Sequence, residues 1–283
     1  MLLEDNKESL KSILTDILSD HVYIDSIQVM SGGCINDSYK ITTNKGLFFL
    51  KKNKHSIENL FYNEKKGLDI ISSTLTIKVP QILYCDKDIL LLSFIEKTNP
   101  TINNWLNFAK DLASLHRIRH DYYGLDHNNY IGSLIQYNNQ TSKWIDFFIN
   151  QRIKPQLNLG KMPTSILHLF DKLFVKLDNI LTCEQPSLLH GDLWSGNFIF
   201  NNDDTFLVDP AIYYGSREMD ISMSMLFGGF DNTFYNSYNE CYPLDSGWQD
   251  RVDIYNLYPL LVHANLFGGN YFNQIKSILN YVI

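Results

Sequence analysis

The chain has 283 residues, 45% of them hydrophobic, which is enough for one or two domains with a sizeable core. Its formal net charge of −7 argues against a nucleic-acid partner, because a phosphate backbone attracts basic surfaces. The first ten residues are acidic, which argues against a signal peptide, and no apolar run approaches the roughly 20 residues of a membrane span. The four cysteines are scattered, which argues against a structural zinc site and fits a reducing compartment. We therefore expect a cytoplasmic protein, and we also expect it to be a monomer.

The N-terminal third of the sequence predicts a helix followed by an antiparallel sheet. Hydrophobic residues between Leu10 and Leu18 recur at helical spacing. Runs of branched and aromatic residues then predict strands, which turn sequences containing glycine or asparagine separate. A second helix carries an apolar stripe between Ile57 and Ile71. The predicted strands cover residues 23–30, 35–42, 47–51, 81–84 and 89–93.

From residue 96 onward the pattern is mainly helical. The polar stretch 96–100 ends in proline and is typical of a connector, whereas segment 120–141 predicts a long loop. Three short apolar runs interrupt the helices. The order therefore predicts an α+β fold with a sheet lobe over residues 1–95 and a larger helical lobe over 96–283. The predicted helices cover 102–117, 142–153, 164–181, 218–227, 250–266 and 271–281, and the apolar runs lie at 187–189, 198–200 and 206–208.

The stretch HGDLWSGN at 190–197 is the most informative part of the chain. Its polar residues lie between two apolar runs, as in a rigid loop that a scaffold presents. Phosphoryl transfer needs a carboxylate to orient the attacking hydroxyl and oxygen ligands for Mg²⁺. Asp192 can supply the first role, and Asn197 with Asp209 the second. One aspartate alone would indicate only an Asx-rich turn, but the HGDLxxxN string with an aspartate after the next strand favours a kinase-type site.

Lys51 and Glu64 form a second predicted constellation. A lysine at a strand end is usually a solvated charge, but Glu64 lies on the apolar stripe of the following helix and points towards the core. A buried carboxylate must be paired, and Lys51 is the available cation, which would then reach nucleotide phosphates. Gly32 and Gly33 lie in a turn where backbone N–H groups could approach phosphates, although hairpin geometry alone also favours glycine there.

With these residues in place, the chain resembles the fructosamine kinase (ketosamine-3-kinase) family within the aminoglycoside-phosphotransferase and choline-kinase-like group. The resemblance spans nearly the whole chain. It implies the bilobal protein-kinase-like fold, with a nucleotide-binding lobe over 1–95 and a catalytic and substrate-binding lobe over 96–283. The matching motifs are HGDLWSGN at 190–197, YYGSREMDISMSMLFGGF at 213–230, FLKKN at 49–53, FYNE at 61–64 and SGGCIN at 31–36.

The resemblance also implies an activity and its cofactors. Members phosphorylate the sugar 3-hydroxyl of ketosamines on lysine side chains or small amines, using ATP and Mg²⁺, a first step of protein deglycation. Pro210 and Ala211 follow Asp209 where protein kinases have Phe-Gly, so nothing follows about a mobile activation loop. The implied roles are proton acceptor for Asp192, metal ligands for Asn197 and Asp209, an ion pair for Lys51 and Glu64, and an adenine-binding hinge for Ser93, Phe94 and Ile95.

The substrate side has two open interpretations. Trp194 can be a platform for the sugar or its amine, or an anchor in the core. Arg217, Glu218 and Asp220, with Tyr214 nearby, can bind the ketosamine, or Arg217 and Asp220 can instead fix the helix over 216–227 against the catalytic loop.

Two other functions compete with the ketosamine kinase. An aminoglycoside or choline phosphotransferase would need an acidic or aromatic cage for its cationic substrate. A catalytically inactive nucleotide-binding module would not need the five predicted catalytic and nucleotide-binding residues together. The motifs do not distinguish a six-carbon from a five- or four-carbon sugar.

Overall fold

The computed structural model describes residues 4–18, 21–30, 36–182 and 184–283. Its N-terminal part is a five-stranded antiparallel sheet in the order β1-β2-β3-β5-β4, with one helix on either face. Along β2, Ile41 and Thr43 are buried and Thr42 between them is half-buried, as expected when successive side chains point to opposite faces of a sheet. The elements are α1 (Glu4–Leu18), β1 (Ile24–Met30), β2 (Asp37–Thr43), β3 (Gly46–Lys52), α2 (Leu60–Ser73), β4 (Ile82–Cys85) and β5 (Ile89–Ser93).

The C-terminal part is mainly helical and contains three two-stranded sheets. Thr101 and Asn104 form a reciprocal capping box that starts the first of its helices. The elements are α3 (Ile102–Leu115), β6 (Asn129–Ile131), β7 (Leu134–Gln136), α4 (Trp144–Phe147), a π-helical segment (Phe148–Ile153), α5 (Lys154–Leu157), α6 (Thr164–Ile180), β8 (Ser187–Leu189), β9 (Phe198–Asn201), β10 (Asp204–Leu207), β11 (Tyr213–Gly215), α7 (Glu218–Leu226), α8 (Asn232–Cys241), α9 (Trp248–Phe267) and α10 (Tyr271–Val282).

Four parts of this architecture differ from the sequence predictions, the first being strand β11 (Tyr213–Gly215), which no predicted element covers. The expected loop over 120–141 contains the β6–β7 hairpin, and the expected helix over 142–153 is interrupted by the π-helical segment. Helix α8 was not predicted, because its sequence NTFYNSYNEC is rich in residues of low helix propensity. It forms by packing Phe234 and Tyr238 against α3 and by capping at Asp231. The other predicted elements lie within a few residues of the observed bounds.

The hydrophobic core crosses the expected lobe boundary. Ile71 at the end of α2 and Ile77 after it belong to the same buried cluster as Phe108 of α3 and Phe198 of β9. Lys78 also pairs with Phe206 in a parallel β-bridge. The division at residues 95 and 96 stays a prediction, but the two parts share side-chain packing. Among the described residues, no helix combines the length and apolar character that crossing a bilayer requires.

Candidate active site

The loop 190–197 leaves strand β8 and enters strand β9 in a fixed backbone conformation. Gly191 has φ of +82°, and a Cβ at this position would lie 2.0 Å from the carbonyl oxygen of Ala211. Only glycine allows both this conformation and this approach. The amide of Ala211 donates to the carbonyl of His190 at 2.9 Å, so the loop is bonded to the segment that follows Asp209.

Asp192 is held by Asn197 within this loop. The side-chain Nδ2 of Asn197 lies 2.8 Å from Oδ2 and 2.8 Å from the backbone oxygen of Asp192. Burial raises the pKa of Asp192 to about 7; the hydrogen bond from Asn197 opposes this shift and the charge of Asp209 adds to it. A carboxylate with a pKa near neutrality is suited to accept a proton from a hydroxyl group.

Lys51 connects the sheet to the catalytic loop region. Its Nζ lies 2.7 Å from Oε1 of Glu64 and also contacts Oδ1 of Asp209. Burial alone would lower the pKa of Lys51, but the charges of Asp209 and Glu64 and their hydrogen bonds outweigh burial and raise it. The structure therefore brings together three predicted residues from β3, α2 and the segment after β10, with a charged ammonium group between two carboxyl groups.

Asp209 and Asn197 offer oxygen atoms that fit Mg²⁺. Both side-chain N–H groups of Asn197 are directed at Asp192, which leaves its Oδ1 available, and the amide of Val208 donates to the Asn197 carbonyl at 3.0 Å. Asp209 has φ of +55°, a strained conformation that functional sites often contain. In the described ranges, no three His, Cys, Asp or Glu side chains are grouped so that they could hold a metal ion. Mg²⁺ commonly binds through one or two protein oxygens together with substrate phosphates and water.

The predicted hinge begins at Ser93, the last residue of strand β5. The amide and hydroxyl of Ser93 are bonded to Gln81, and the amide of Phe94 donates to the Leu47 carbonyl at 3.3 Å. Within the described part of the chain, no hydrogen bond uses the backbone amide of Ile95, which is compatible with the predicted adenine-binding role. Gly32 and Gly33 lie outside the described residues.

Asp220 fixes the catalytic loop from helix α7. Its carboxylate accepts hydrogen bonds from the backbone amides of His190 at 2.7 Å and Gly191 at 2.9 Å. It also lies 3.2 Å from Nε2 of His116, whose Nδ1 is 2.7 Å from the hydroxyl of Tyr238. All of these groups are buried. Burial lowers the pKa of His116, against the opposing effect of Asp220, so a neutral imidazole connects α3, α7 and α8.

Arg217 is engaged in contacts within the protein. Its guanidinium binds both carboxylate oxygens of Glu184, at 2.8 and 2.9 Å. It also donates to the carbonyls of Tyr242 and Pro243 and lies 3.8 Å from the centre of the Tyr242 ring. Its side chain is only 3% exposed. These contacts hold the start of α7 against the segments before β8 and after α8, whereas Asp220 is the residue that bonds the helix to the loop 190–197.

Glu218 and Tyr214 also have partners within the chain. Glu218 forms a two-pronged ion pair with Arg251 of α9, at 2.6 and 2.8 Å, and is 1% exposed. The half-buried Tyr214 stacks on His120 with ring centroids 4.6 Å apart. Substrate binding by Tyr214, Arg217 and Glu218 stays a prediction, and the geometry gives each of them a packing role.

Trp194 has a different environment from these three residues. Its indole ring folds back over Gly196, where an added Cβ would lie 2.3 Å from the ring. The ring is half-buried and meets Phe227 edge to face, with centroids 6.2 Å apart. Trp194 therefore lines the surface beside Asp192 and is not enclosed in the core.

The β6–β7 hairpin supports the site and was missed by the sequence predictions. Asn129 donates to the carbonyl of Ile212, and Gln136 donates to that of Ala211, both at 2.9 Å. On the opposite face Tyr130 packs against the base of α2 and donates to the Glu58 carbonyl at 2.9 Å. The hairpin thus contacts both the helix that carries Glu64 and the segment after Asp209. Asn129 and Gln136 lie in a polar segment, and their spacing gives no local sequence signal that they support the site.

Comparison with known proteins identifies the family. A model of the fructosamine kinase family matches residues 6–283. The chain is 36% identical to the "Probable ketoamine kinase" of Vibrio parahaemolyticus, over 98% of this chain and 99% of that protein. It is 33% identical to the chloroplastic protein-ribulosamine 3-kinase of Arabidopsis thaliana, over 91% of this chain and 82% of that one.

Solved structures agree on the fold. A Haemophilus somnus crystal structure assigned as a fructosamine-3-kinase superposes with a TM-score of 0.88 at 30% identity, covering 97% of this chain and 96% of the other. An ADP-bound aminoglycoside phosphotransferase superposes with a TM-score of 0.64 at 15% identity, over 96% of this chain and 97% of its own. The predicted bilobal protein-kinase-like fold is confirmed.

Proposed function

This chain belongs to the fructosamine kinase family, and we propose that it transfers the γ-phosphate of ATP to the 3-hydroxyl of the sugar in a ketosamine. One observation carries the proposal: a buried Lys51 lies between Glu64 and Asp209, next to the loop in which Asn197 holds Asp192. Phosphoryl transfer requires this combination of a phosphate-binding cation, a metal-binding carboxylate and a base. The names of the relatives support a ketosamine as the acceptor.

Each residue then has a distinct task. Asp192 orients the sugar hydroxyl and accepts its proton, for which its raised pKa is suited. Lys51 contacts the nucleotide phosphates while Glu64 keeps the ammonium group in place. Asp209 and the free Oδ1 of Asn197 would hold Mg²⁺, which neutralises charge on the phosphates. The backbone of Phe94 and Ile95 binds adenine.

The substrate approaches from the side of Trp194. The half-buried indole provides an apolar surface next to the base, suited to the carbon face of a sugar or to the adjoining amine. A ketosamine on a lysine side chain or a small amine fits a site that is open on this side. We infer that the protein acts in the cytoplasm, where ATP is available and where Cys85 and Cys241 stay reduced.

Release of ADP with a panel of acceptors tests the proposal. The panel contains the fructose- and ribulose-derived ketosamines of one amine, the amine itself, the unmodified sugars, kanamycin and choline. We expect ADP release with at least one ketosamine and a much lower kcat/KM with every other acceptor. Comparable turnover of kanamycin or choline would contradict the ketosamine assignment and leave only a small-molecule kinase. The ratio of the two ketosamine values gives the sugar preference.

A further inference from the structure

Arg152 is a buried cation for which no described residue supplies a carboxylate. It is 0% exposed, and among the described residues no aspartate or glutamate lies within ion-pair distance of it. Three ring faces surround the guanidinium instead. Its central carbon lies 3.8 Å from the ring centre of Tyr213, 4.5 Å from that of Phe147 and 5.5 Å from that of Tyr258. Ring faces attract a cation, but burying a charge without a counter-ion still costs free energy, so an arginine here indicates a role other than packing.

The backbone around Arg152 departs from the α-helix. The residue lies in the π-helical segment Phe148–Ile153, a geometry that is rare and that occurs frequently at functional sites. Its guanidinium donates to the backbone carbonyls of Tyr137 and Gln151 and, at 2.8 Å, to Oδ1 of Asn138. All three acceptors are neutral. The positive charge is therefore not cancelled by a partner and acts on the dipoles that are bonded to it.

Three buried carboxamide groups lead away from this charge, and we call Asn138, Asn129 and Gln136 the carboxamide chain. A guanidinium can only donate, so Asn138 accepts from Arg152 through its oxygen and has its amino group for the next residue. That Nδ2 lies 2.9 Å from Oδ1 of Asn129. Nε2 of Gln136 donates to the same oxygen at 2.8 Å. With two donors on its oxygen, Asn129 has only its amino group left for a further partner.

The carboxamide chain ends on the backbone that follows Asp209. The amino group of Asn129 donates to the carbonyl of Ile212, and that of Gln136 donates to the carbonyl of Ala211, both at 2.9 Å. Asp209 itself has φ of +55°, a conformation that costs free energy and persists where the surrounding structure enforces it. Hydrogen bonds to the carbonyls two and three residues further along the chain supply such a constraint.

We propose that Arg152 is a positioning residue for the metal site: acting through the carboxamide chain, its charge holds the backbone after Asp209 and so fixes the carboxylate that would hold Mg²⁺. This proposal rests on the proposed function, in which Asp209 binds the metal of Mg·ATP. The guanidinium polarises Asn138, and each polarised carboxamide is a stronger donor to the next group. Loss of Arg152 would leave Oδ1 of Asn138 without its charged donor, so the chain would relax and the Asp209 carboxylate would move.

Calorimetric titrations with Mg·ATP and with ATP in EDTA test the proposal without an acceptor substrate. Arg152→Met keeps an unbranched side chain but removes the charge and its donors, and we expect the Kd of Mg·ATP to rise about tenfold. The Kd of ATP in EDTA should stay within about twofold of wild type, because Asp209 acts on the nucleotide through the metal. Arg152→Lys keeps the charge and should recover part of the loss. Equal changes in both Kd values would overturn the proposal.

Gln136→Met removes the final donor to Ala211 with Arg152 in place, so it decides the question if Arg152→Met does not fold. It should raise the Kd of Mg·ATP by a similar factor, and an unchanged Kd would overturn the proposal. The double variant should bind Mg·ATP within about twofold as tightly as the weaker single variant, because both residues act through one chain. Effects that multiply would show two independent contributions and would also contradict the proposal.

Arg251→Met is the matched control. Arg251 is also buried, but it bonds to Glu218 and, among the described residues, to no member of the carboxamide chain. The variant should lower the free energy of unfolding, measured in urea, with both Kd values unchanged. A loss specific to Mg·ATP as large as in Arg152→Met would reduce Arg152 to a packing role. Failure of the proposed function is visible separately, as a wild-type protein that binds Mg·ATP and phosphorylates no ketosamine.

Discussion

The carboxylate of Asp220 accepts a hydrogen bond from the backbone amide of Gly191 at 2.9 Å, so helix α7 fixes the loop that carries Asp192, the proposed base. Asp220→Asn would direct an NH₂ group at one of two backbone donors, and the loop would shift. We expect kcat for the ketosamine to fall by up to about 100-fold, because small misplacements of a catalytic group have effects of this size. The KM for ATP should change little.

Steady-state kinetics of Asp220→Asn beside Asp250→Asn, an exposed aspartate at the start of α9, provide the check. Equal kinetics in the two variants would remove Asp220 from a positioning role.

Removal of the base is the most direct test of the mechanism. Asp192→Asn keeps the shape of the side chain but cannot accept the proton, so we expect kcat to fall by roughly 10²–10⁴-fold. The affinity for ATP should remain close to that of the wild type, because Asp192 is not among the residues predicted to bind the nucleotide or its metal ion. Single-turnover kinetics and a nucleotide titration measure the two effects. Near-normal turnover would exclude Asp192 as the base.

The two predicted metal ligands should differ in their importance. Asp209→Ala removes the carboxylate that Mg²⁺ requires and also one partner of Lys51, so activity should be abolished. Asn197→Ala should be milder, since an amide is a weaker ligand and Mg²⁺ keeps several waters. Calorimetric titration with Mg·ATP compares the variants. Binding as tight as in the wild type in both of them would show that the metal lies elsewhere.

Substitution of Arg217 tests whether this residue has a structural or a substrate-binding role. Arg217→Ala would leave the half-buried Glu184 without its cation, and we expect the free energy of unfolding to fall by about 3 kcal/mol. Glu184→Gln, which leaves the guanidinium partly paired, should destabilise less. Urea denaturation of both variants, with the KM for the ketosamine measured on the folded fraction, separates the roles. Undiminished stability with a raised KM would identify Arg217 as a substrate ligand.

The buried His116 should make the free energy of unfolding depend on pH in the acidic range. Burial lowers its pKa below the ordinary value of 6.5, so the unfolded chain binds a proton more readily than the folded protein. The contribution of His116 to the free energy of unfolding should therefore be constant above pH 6.5 and fall as the pH drops below it, by at most about 1.4 kcal/mol per pH unit for each such group. Asp192, whose pKa is raised, contributes with the opposite sign, so the effect of His116 is the difference between wild type and variant. The buried His190 acts in the same direction.

Urea denaturation at pH 8 and pH 5 measures this slope. His116→Gln lowers stability at both values but should show a smaller difference between them. An identical difference in wild type and variant would mean that His116 does not titrate in this range.

The predicted charged residues of the site could be found from sequence because their signals are local. HGDLWSGN is a single contiguous loop, and the spacing of Glu64 from Leu60 and Phe61 shows that it faces the core. The predicted ion pair with Lys51 is present at 2.7 Å. In both cases one element, read alone, carries enough information to place the side chain.

The supporting contacts have no such local signal. Arg217 lies 33 residues from Glu184, and Glu218 lies 33 residues from Arg251. The sequence around each of these residues does not specify its partner, because any nearby opposite charge could form the ion pair. Which pair forms therefore depends on the tertiary arrangement of the loops. The β6–β7 hairpin was predicted as a loop because its strands have only three residues each. Its stability comes from Gln136 and its neighbours bonding to another segment, not from β propensity.

The hydrophobic cluster that contains both Ile71 and Phe108 has a consequence for how the molecule unfolds. Separating the sheet part from the helical part would expose Ile71 and Ile77 to water and leave a gap beside α3. Neither half therefore has a complete interior of its own. The chain should melt as one cooperative unit, and cutting the connector should leave two pieces that stay associated rather than two independently stable domains.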